Sequence, residues 1–285
     1  MTIRIVTDST CDLPNEILSQ SGIRVVPLYI NFGTQSYLDG IDLTREEFYA
    51  RLPHADPAPT TAVPGQKMFG DIYQALADEG ATEILSIHVS SKLSGVVNAA
   101  QLAARTASTP VTVFDSGTLS LGTGLLAVRA AQAAAQGCSM DEIITLVQEQ
   151  AQRTYVFATL ETLEYLRRSG RMSRVMAATG SILRIKLLLK MHDGDASAER
   201  MRTSKAATRR LLALLEEQLP VERVALVHTH EPAQAQQLYN QVGHMLPAEE
   251  ILSVDITPIF GTHLGPGAVG FVCVRAREEP GKETS

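Results

Sequence analysis

The stretch from Glu83 to Ala100 constrains the fold most, because a pattern typical of a strand runs directly into one typical of a helix. Its first half is apolar and β-branched, which favours a buried strand, and its second half is rich in residues that suit a helix. At such a junction the free N–H groups and the dipole of the helix favour a bound anion. Capping of the helix by Ser91 or Ser94 is the alternative interpretation. The polar groups at the junction are Ser90, Ser91, Ser94 and the Gly95 amide.

Further strand patterns alternate with helical patterns through the first half of the chain, at residues 3–7, 25–31 and 111–115. This alternation predicts a parallel sheet covered by helices on both faces. Ligands of such sheets bind outside the carboxyl ends of the strands. Prolines stiffen the loop around Thr60 and Thr61 and favour an extended pose there. Hydroxyl-rich loops are expected at the carboxyl edge, beginning at Asp8, Thr60, Ser90 and Asp115.

The pattern changes near Thr154, and the length of 285 residues favours two domains. We predict an α/β fold with two closely packed α/β domains. The N-terminal domain covers residues 1–154 and carries the hydroxyl-rich loops, and the C-terminal domain covers residues 155–285 with a mixed sheet. In the second domain, Asp193-Gly194 indicates a hairpin turn and residues 224–256 a βαβ unit. Residues 261–267 are rich in glycine and predict a turn before the last strand.

Composition excludes several classes of partner. The chain has 25 basic and 31 acidic side chains, a net charge of −6, so nucleic-acid binding is not expected. No stretch reaches the roughly 20 apolar residues that span a bilayer, which leaves at most a transient contact with a membrane surface. Cys11, Cys138 and Cys273 are far apart, which indicates reduced thiols in a cytoplasmic protein. We interpret Cys11 as a small buried residue rather than a reactive thiol.

Motifs of several enzyme and metal classes are missing from the sequence. It contains neither a phosphate-binding P-loop nor a dinucleotide-binding fingerprint. The residues around Ser90 lack the glycines of a nucleophile elbow, although Ser94 and His263 remain a candidate nucleophile and base of a hydrolase. His228 and His230 have no evident third ligand, so we interpret them as solvated loop histidines and predict no metal site.

His263 and Arg171 both lie beside glycines, where backbone can approach a ligand closely. An imidazole at His263 could donate a hydrogen bond to a carboxylate, and a water-exposed turn histidine is the alternative. A guanidinium at Arg171 could hold an anion or an acidic group of a partner. Compensation of a helix dipole at its carboxyl end is the alternative for Arg171.

A series of short motifs runs through almost the whole chain, and their order and spacing are more specific than any one motif. They are TDS at 7–9, PTT at 59–61, SSKLSG at 90–95, DS at 115–116, LETL at 160–163, GR at 170–171, IK at 185–186 and GTHLGPG at 261–267. With these motifs the sequence resembles the DegV family, whose best-understood members are FakB-type fatty-acid-binding proteins.

This resemblance implies two intimately packed α/β domains that bury a long-chain fatty acid as ligand, with no catalytic residue, metal or cofactor. Carried over by motif, the groups that hold the carboxylate are Thr61, Ser94 with the Gly95 amide, and His263. The resemblance also implies an ATP-dependent fatty-acid kinase subunit, which takes the presented carboxylate and forms acyl-phosphate. Arg171 is expected near the carboxylate or on the kinase-facing surface.

The sequence departs from the family pattern next to these residues. Ala62 and Val63 follow Thr61 where the family often has serine and glutamine, and Val96-Val97 follow Gly95 in place of Thr-Tyr. Because of these departures, the resemblance does not define which acyl chain is preferred or which surface docks the kinase. Two other functions also remain open. One is a serine-type hydrolase that uses Ser94 and His263, and the other is a lipid-sensing interaction protein whose partner is not a kinase.

Overall fold

The computed structural model describes residues 2–171, 185–246 and 251–277, which form thirteen strands and ten α-helices. The strands are β1 (Ile3–Asp8), β2 (Arg24–Val26), β3 (Tyr29–Phe32), β4 (Gln35–Leu38), β5 (Thr60–Ala62), β6 (Glu83–His88), β7 (Val111–Asp115), β8 (Thr154–Leu160), β9 (Lys186–His192), β10 (Asp195–Met201), β11 (Val221–His228), β12 (Leu252–Asp255) and β13 (Val269–Arg275). The helices are α1 (Asn15–Ser21), α2 (Arg45–Arg51), α3 (Gln66–Asp78), α4 (Val96–Ala104), α5 (Leu121–Ala135), α6 (Met140–Ala151), α7 (Glu164–Arg168), α8 (Ser204–Glu216), α9 (Pro232–Val242) and α10 (Pro258–Leu264).

The first sheet is parallel, with the strand order β2-β1-β6-β7. Successive side chains of β1 point to opposite faces, so Ile3 and Ile5 pack into the core on the α5 side, with Leu126. Val6 packs into the core on the other side, where α3 contributes Tyr73. Both faces are therefore covered by helices, and the predicted parallel sheet is confirmed.

The second sheet is mixed, as predicted, with the strand order β10-β9-β8-β13-β11-β12. The pair β11 and β12 is parallel and is joined through α9, which confirms the predicted βαβ unit, while the other neighbours are antiparallel. The predicted hairpin turn joins β9 to β10. Asp193 and Gly194 both have positive φ, 46° and 75°, which suits a two-residue hairpin turn.

A third, small sheet has the strand order β4-β3-β5, and the sequence pattern did not predict it. The single strand expected over 25–31 is wrong, because β2 ends at Val26 and β3 begins at Tyr29. Pro27 lies between them and has no N–H to continue a ladder of hydrogen bonds. On β5, Thr61 pairs with Ile30, and this pairing holds the loop of Thr60 and Thr61 in the expected extended pose.

The turn expected over 261–267 is also partly wrong, because α10 continues to Leu264 and the turn begins at Gly265. The Thr257 side chain caps α10 by accepting a hydrogen bond from the Ile259 N–H, and Pro258 occupies the first helical position. Threonine at the cap and proline at the first position are the usual signals of a helix start. His263 therefore lies on the last turn of a helix and not in a loop.

The two large sheets meet where the hairpin tip of β9 and β10 rests on the turn after β7. The Gly194 N–H donates to the Gly117 carbonyl at 2.8 Å, and Lys92 pairs with Asp195 at 2.7 Å. One apolar cluster also combines Ile5 and Leu126 with Val156 of the mixed sheet. The close packing of the two halves follows from these contacts, and the boundary at residue 154 stays a prediction. Within the described ranges, no helix has the length and apolar character to cross a membrane.

Candidate functional site

A cavity of about 230 Å³ lies where the carboxyl ends of the parallel strands face the mixed sheet. Its wall combines β5, the turn after β6, the strands β8 to β10 and helix α10. The structure brings together the five residues predicted to contact the carboxylate or a partner, since Thr61, Ser94, Gly95, Arg171 and His263 all line this cavity. Their role in binding a carboxylate stays a prediction.

Thr61 and His263 form a polar contact in the cavity wall. The Thr61 Oγ1 atom lies 3.2 Å from His263 Nε2, and both side chains are half-buried. Strand β5 fixes Thr61 through its pairing with Ile30, and the last turn of α10 fixes His263. When Nε2 carries the imidazole proton, it donates to Thr61, and the Thr61 hydroxyl is then free to donate to an anion. An anion that separates the two groups can accept from both of them.

The turn between β6 and α4 presents Ser94 and Gly95 to the cavity. The Ser94 N–H donates to the Ser90 carbonyl at 3.1 Å, and α4 starts at Val96 with Gly95 as its N-cap. Capping of α4 by Ser91 or Ser94 is therefore wrong. Because a helix leaves its first N–H groups without partners inside the helix, the start of α4 supplies donors beside the cavity. A Cβ atom built on Gly95 meets nothing within 4 Å, so space does not require glycine here.

Ser90 and Ser91 shape this turn through their backbones. The Ser91 N–H donates to the Asp115 carboxylate at 3.2 Å, and the Ser90 N–H donates to the Thr118 carbonyl at 2.9 Å. Asp115 also accepts from the Gly117 N–H at 3.0 Å, which ties the turn after β6 to the turn after β7. The two hydroxyl-rich turns at the sheet edge thus form one unit.

Arg171 follows α7 and lines the cavity. Its guanidinium donates to the Ser169 carbonyl at 2.9 Å, and its backbone N–H donates to the Leu166 carbonyl at 3.1 Å. Arg171 therefore interacts with the carboxyl end of α7, as the dipole interpretation expects, while it also borders the cavity.

The apolar part of the wall comes from alternate residues of three neighbouring strands. Val156 on β8 pairs with Met191 on β9, which pairs with Ala196 on β10. Ala158 pairs with Leu189 in the next row of the same face, and all five side chains line the cavity. Sequence analysis did not single out these residues, although the period of two along β8 was a usable signal.

A buried polar network lies next to the cavity and was also missed. His88 lies 2.9 Å from Asp8 through Nδ1 and 2.7 Å from the Ser86 hydroxyl through Nε2, and Tyr73 contacts the same hydroxyl at 2.9 Å. The order Asp, His, Ser is that of a hydrolase triad. However, these three residues are fully buried, and none of them borders the cavity. A sequence signal existed, because Ser86 and His88 are polar residues among the buried positions of β6, whose other buried residues are apolar.

The Asp8 carboxylate links this network to the cavity wall. It accepts hydrogen bonds from the N–H groups of Thr10 at 3.0 Å and Val89 at 3.2 Å, both of which line the cavity. Burial raises the pKa of Asp8. The His88 imidazole and the hydrogen bonds of Thr10 and Val89 lower this pKa by a larger amount, so the net shift is downward. An ionised Asp8 therefore fixes two segments of the wall.

The histidines considered for a metal occupy different surroundings. The interpretation of His228 as solvated is wrong, because β11 extends through it and its side chain is only 6% exposed. Burial lowers the pKa of His228, and its Nδ1 atom accepts from the Glu231 N–H at 3.2 Å. His230 is exposed and lies 3.4 Å from Asp255. In the part of the chain that the structure describes, no cluster of three or more ligating side chains could hold a metal. Cys11 is buried, as predicted.

Comparison with known proteins identifies the family. A model of the DegV family of uncharacterised proteins matches residues 2–276. A DegV domain-containing protein of Streptomyces coelicolor is 34% identical over 275 residues, which are 95% of this chain and 97% of the relative. A solved structure that describes fatty acid binding of a DegV family protein from Thermus thermophilus is 32% identical and superposes with a TM-score of 0.87, covering 97% of this chain and 100% of that chain. The structure of DegV, a fatty acid binding protein from Bacillus subtilis, is 30% identical with a TM-score of 0.88, covering 96% and 99%. The chain therefore belongs to the DegV family.

Proposed function

We propose that the protein binds a long-chain fatty acid, with the acyl tail in the cavity and the carboxylate at Thr61, Ser94, the Gly95 amide and His263. The observation that carries this proposal is that these residues, from three distant segments, line one largely apolar cavity. Solved relatives that share the fold are described as fatty acid binding proteins. We infer no catalytic role and no cofactor.

The chemistry of the polar residues suits a carboxylate. A carboxylate accepts several hydrogen bonds, and two hydroxyls, an amide and an imidazole supply donors without an arginine fork. Each buried methylene contributes about 0.8 kcal/mol, so the tail of a 16-carbon acid gives on the order of 10 kcal/mol before the cost of ordering is subtracted. The tail therefore dominates affinity, and the polar residues select the headgroup.

We further propose that a separate ATP-dependent kinase subunit receives the carboxylate and forms acyl-phosphate. This step rests on the family resemblance and on the exposure of Gly95 and Ala62, which border the cavity at the protein surface. A carboxylate held there would be within reach of a partner. Arg171 contacts the carboxylate or the partner in this proposal. The three free and separate cysteines support a cytoplasmic location, where thiols stay reduced.

The test is identification of bound lipid followed by titration. We expect mass spectrometry of the purified protein to detect long-chain fatty acids, and the delipidated protein to take up palmitate or oleate. The variants Thr61→Val and Ser94→Ala should bind palmitate about tenfold more weakly, the effect of one lost hydrogen bond to a charged group. Ser91→Ala is the matched control, because Ser91 belongs to the same turn and is exposed. Absence of bound lipid together with no uptake of added acid would refute the proposal.

A hydrolase remains the second candidate, because Ser94 and His263 share the cavity. It predicts turnover of aryl esters of long-chain acids by the protein alone, and loss of that turnover in Ser94→Ala. A fatty-acid carrier predicts binding of the acid without ester turnover. A lipid-sensing protein would bind the same ligand, and it would be recognised by co-purification of a lipid-dependent partner other than a kinase.

A further inference from the structure

Helix α10 determines where His263 lies. The helix has only seven residues, and Ile259, Phe260, His263 and Leu264 on it all line the cavity. Gly261 faces α2 so closely that a Cβ atom there would lie 2.7 Å from Phe48 and 2.8 Å from the Tyr49 hydroxyl. A helix this short has little stability of its own, so its position depends on the contacts at its ends and on its packed face.

Two buried carboxylates from distant parts of the chain hold the amino end of α10. The Thr257 N–H donates to Asp12 Oδ1 at 2.6 Å, and the Thr257 hydroxyl donates a short hydrogen bond to Asp39 Oδ2. Asp12 and Asp39 are 1% and 5% exposed. Asp12 also accepts from the Ser120 hydroxyl at 2.5 Å, so the start of α5 is tied into the same cluster.

This arrangement exceeds what a helix cap requires. The Thr257 side chain caps α10 by accepting from the Ile259 N–H, and a threonine cap needs no further partner to do this. Burial of two carboxylates is unfavourable unless they are paired, and Arg45, 3.5 Å from Asp12, is a partly exposed counter-charge. The carboxylates fix both hydrogen-bond donors of Thr257, its N–H and its hydroxyl, and so they define the direction in which α10 leaves the cluster.

We propose that Asp12 and Asp39 are positioning residues for the carboxylate site, which act through Thr257 to hold α10 and thereby place His263 beside Thr61. This inference rests on the proposed function. The chain of contacts runs from Asp12 and Asp39 to Thr257, through two turns of α10 to His263, and across 3.2 Å to the Thr61 hydroxyl. When Thr257 loses either partner, the imidazole shifts relative to Thr61 and the anion loses a hydrogen bond, while the apolar wall outside α10, to which β8, β9 and β10 contribute, remains.

The test compares a fatty acid with an alcohol of the same chain. Palmitate and hexadecanol share the apolar tail, so their ratio of dissociation constants isolates recognition of the carboxylate from the stability of the fold. We expect Thr257→Val and Asp39→Ala, each of which removes one partner of the hydrogen bond between the Thr257 hydroxyl and Asp39, to lower the preference for palmitate over hexadecanol by about tenfold, the value of one hydrogen bond to a charged group. Hexadecanol should bind with an affinity near that of the wild type.

Two variants complete the design. Thr257→Ser keeps the hydroxyl and the N–H and should restore the preference. Thr203→Val removes the equivalent cap hydroxyl of α8. This hydroxyl accepts from the Ala206 N–H at an exposed helix start, so the variant should leave the preference for palmitate unchanged. If Thr257→Val fails to fold, Asp39→Ala and Asp12→Ala, which remove the acceptors of the Thr257 hydroxyl and N–H, carry the same prediction.

The outcomes separate the inference from the proposed function. A wild-type protein that binds neither ligand refutes the proposed function and the inference with it. A wild-type protein that prefers palmitate, with the same preference in Thr257→Val and in Asp39→Ala, refutes the inference alone. Equal weakening of both ligands in these variants also refutes it, because the cluster then supports the fold without positioning the carboxylate site.

Discussion

Replacement of Asp12 by asparagine is expected to remove a pH dependence of stability that the buried carboxyl group creates. Burial raises the pKa of Asp12 from 3.8 to about 7, and the nearby Arg45 offsets only part of this effect. A folded-state pKa above that of the unfolded chain means that the folded protein holds the proton more tightly. The contribution to stability is therefore full below about pH 4 and is lost as pH rises through 7.

The magnitude follows from the difference between the two pKa values. Because one pKa unit corresponds to about 1.36 kcal/mol, complete ionisation of Asp12 lowers the free energy of unfolding by about 4 kcal/mol. About 3 kcal/mol of this loss falls between pH 5 and pH 8. Asparagine retains an acceptor for the Thr257 N–H but does not titrate, so Asp12→Asn should lack this loss.

The assay is urea unfolding of the wild type and of Asp12→Asn at several pH values from 5 to 8. As the pH rises from 5 to 8, the free energy of unfolding of Asp12→Asn should increase by about 3 kcal/mol relative to that of the wild type. Asp71→Asn is the control, because Asp71 is exposed on α3 and pairs only across the helix surface with Lys67. A difference between wild type and Asp12→Asn that stays constant from pH 5 to 8, or that shifts in favour of the wild type, would show that Asp12 does not titrate there.

Three further predictions concern the cavity and its turns. Ala196→Phe should fill space beside Met191, so that a tail losing contact for about four methylenes binds about 3 kcal/mol more weakly; titration with palmitate measures this, and an unchanged affinity contradicts a tail in this part of the cavity. Gly95→Pro removes the proposed amide donor and should weaken palmitate binding about tenfold. Gly95→Ala keeps the amide, and its Cβ atom meets nothing within 4 Å, so it should bind palmitate as the wild type does. Equal affinities of the two variants for palmitate contradict a role of the amide. Gly265→Ala should lower the free energy of unfolding by about 2 kcal/mol or more, because φ is 73° and the added Cβ would lie 2.1 Å from the Tyr165 ring; unchanged urea unfolding contradicts this reasoning.

Local patterns predicted the parts of the site that depend on neighbouring residues. The junction from β6 to α4 follows from apolar strand residues next to a serine- and glycine-containing turn, and the extended pose of Thr61 follows from prolines on either side. The motif resemblance added which residues share the cavity, since the contact of Thr61 with His263 joins positions 202 residues apart.

Contacts between distant polar residues were not predictable in the same way. Asp12 and Thr257 are 245 residues apart, and nothing near either residue indicates the other. His88 and Asp8 are 80 residues apart, and although the polar Ser86 and His88 are unusual in a buried strand, nothing near them indicates Asp8 as their partner. The break at Pro27 and the start of α10 at Pro258 were missed for a different reason. Their local signals were present but were outweighed by the apolar run of 25–31 and by the glycines of 261–267.

Because the wall of the cavity is built from distant parts of the chain, a bound molecule affects the stability of the whole protein. Its residues extend from Thr10 to Leu264, so the cavity exists only after nearly all of the chain has folded. A molecule bound there interacts with the native state and not with the unfolded chain, and mass action then stabilises the native state by about 2.7 kcal/mol when the free ligand is at a hundred times its dissociation constant. The loaded protein would unfold and be degraded more slowly than the empty one. Cellular abundance of the protein would therefore follow the supply of its ligand.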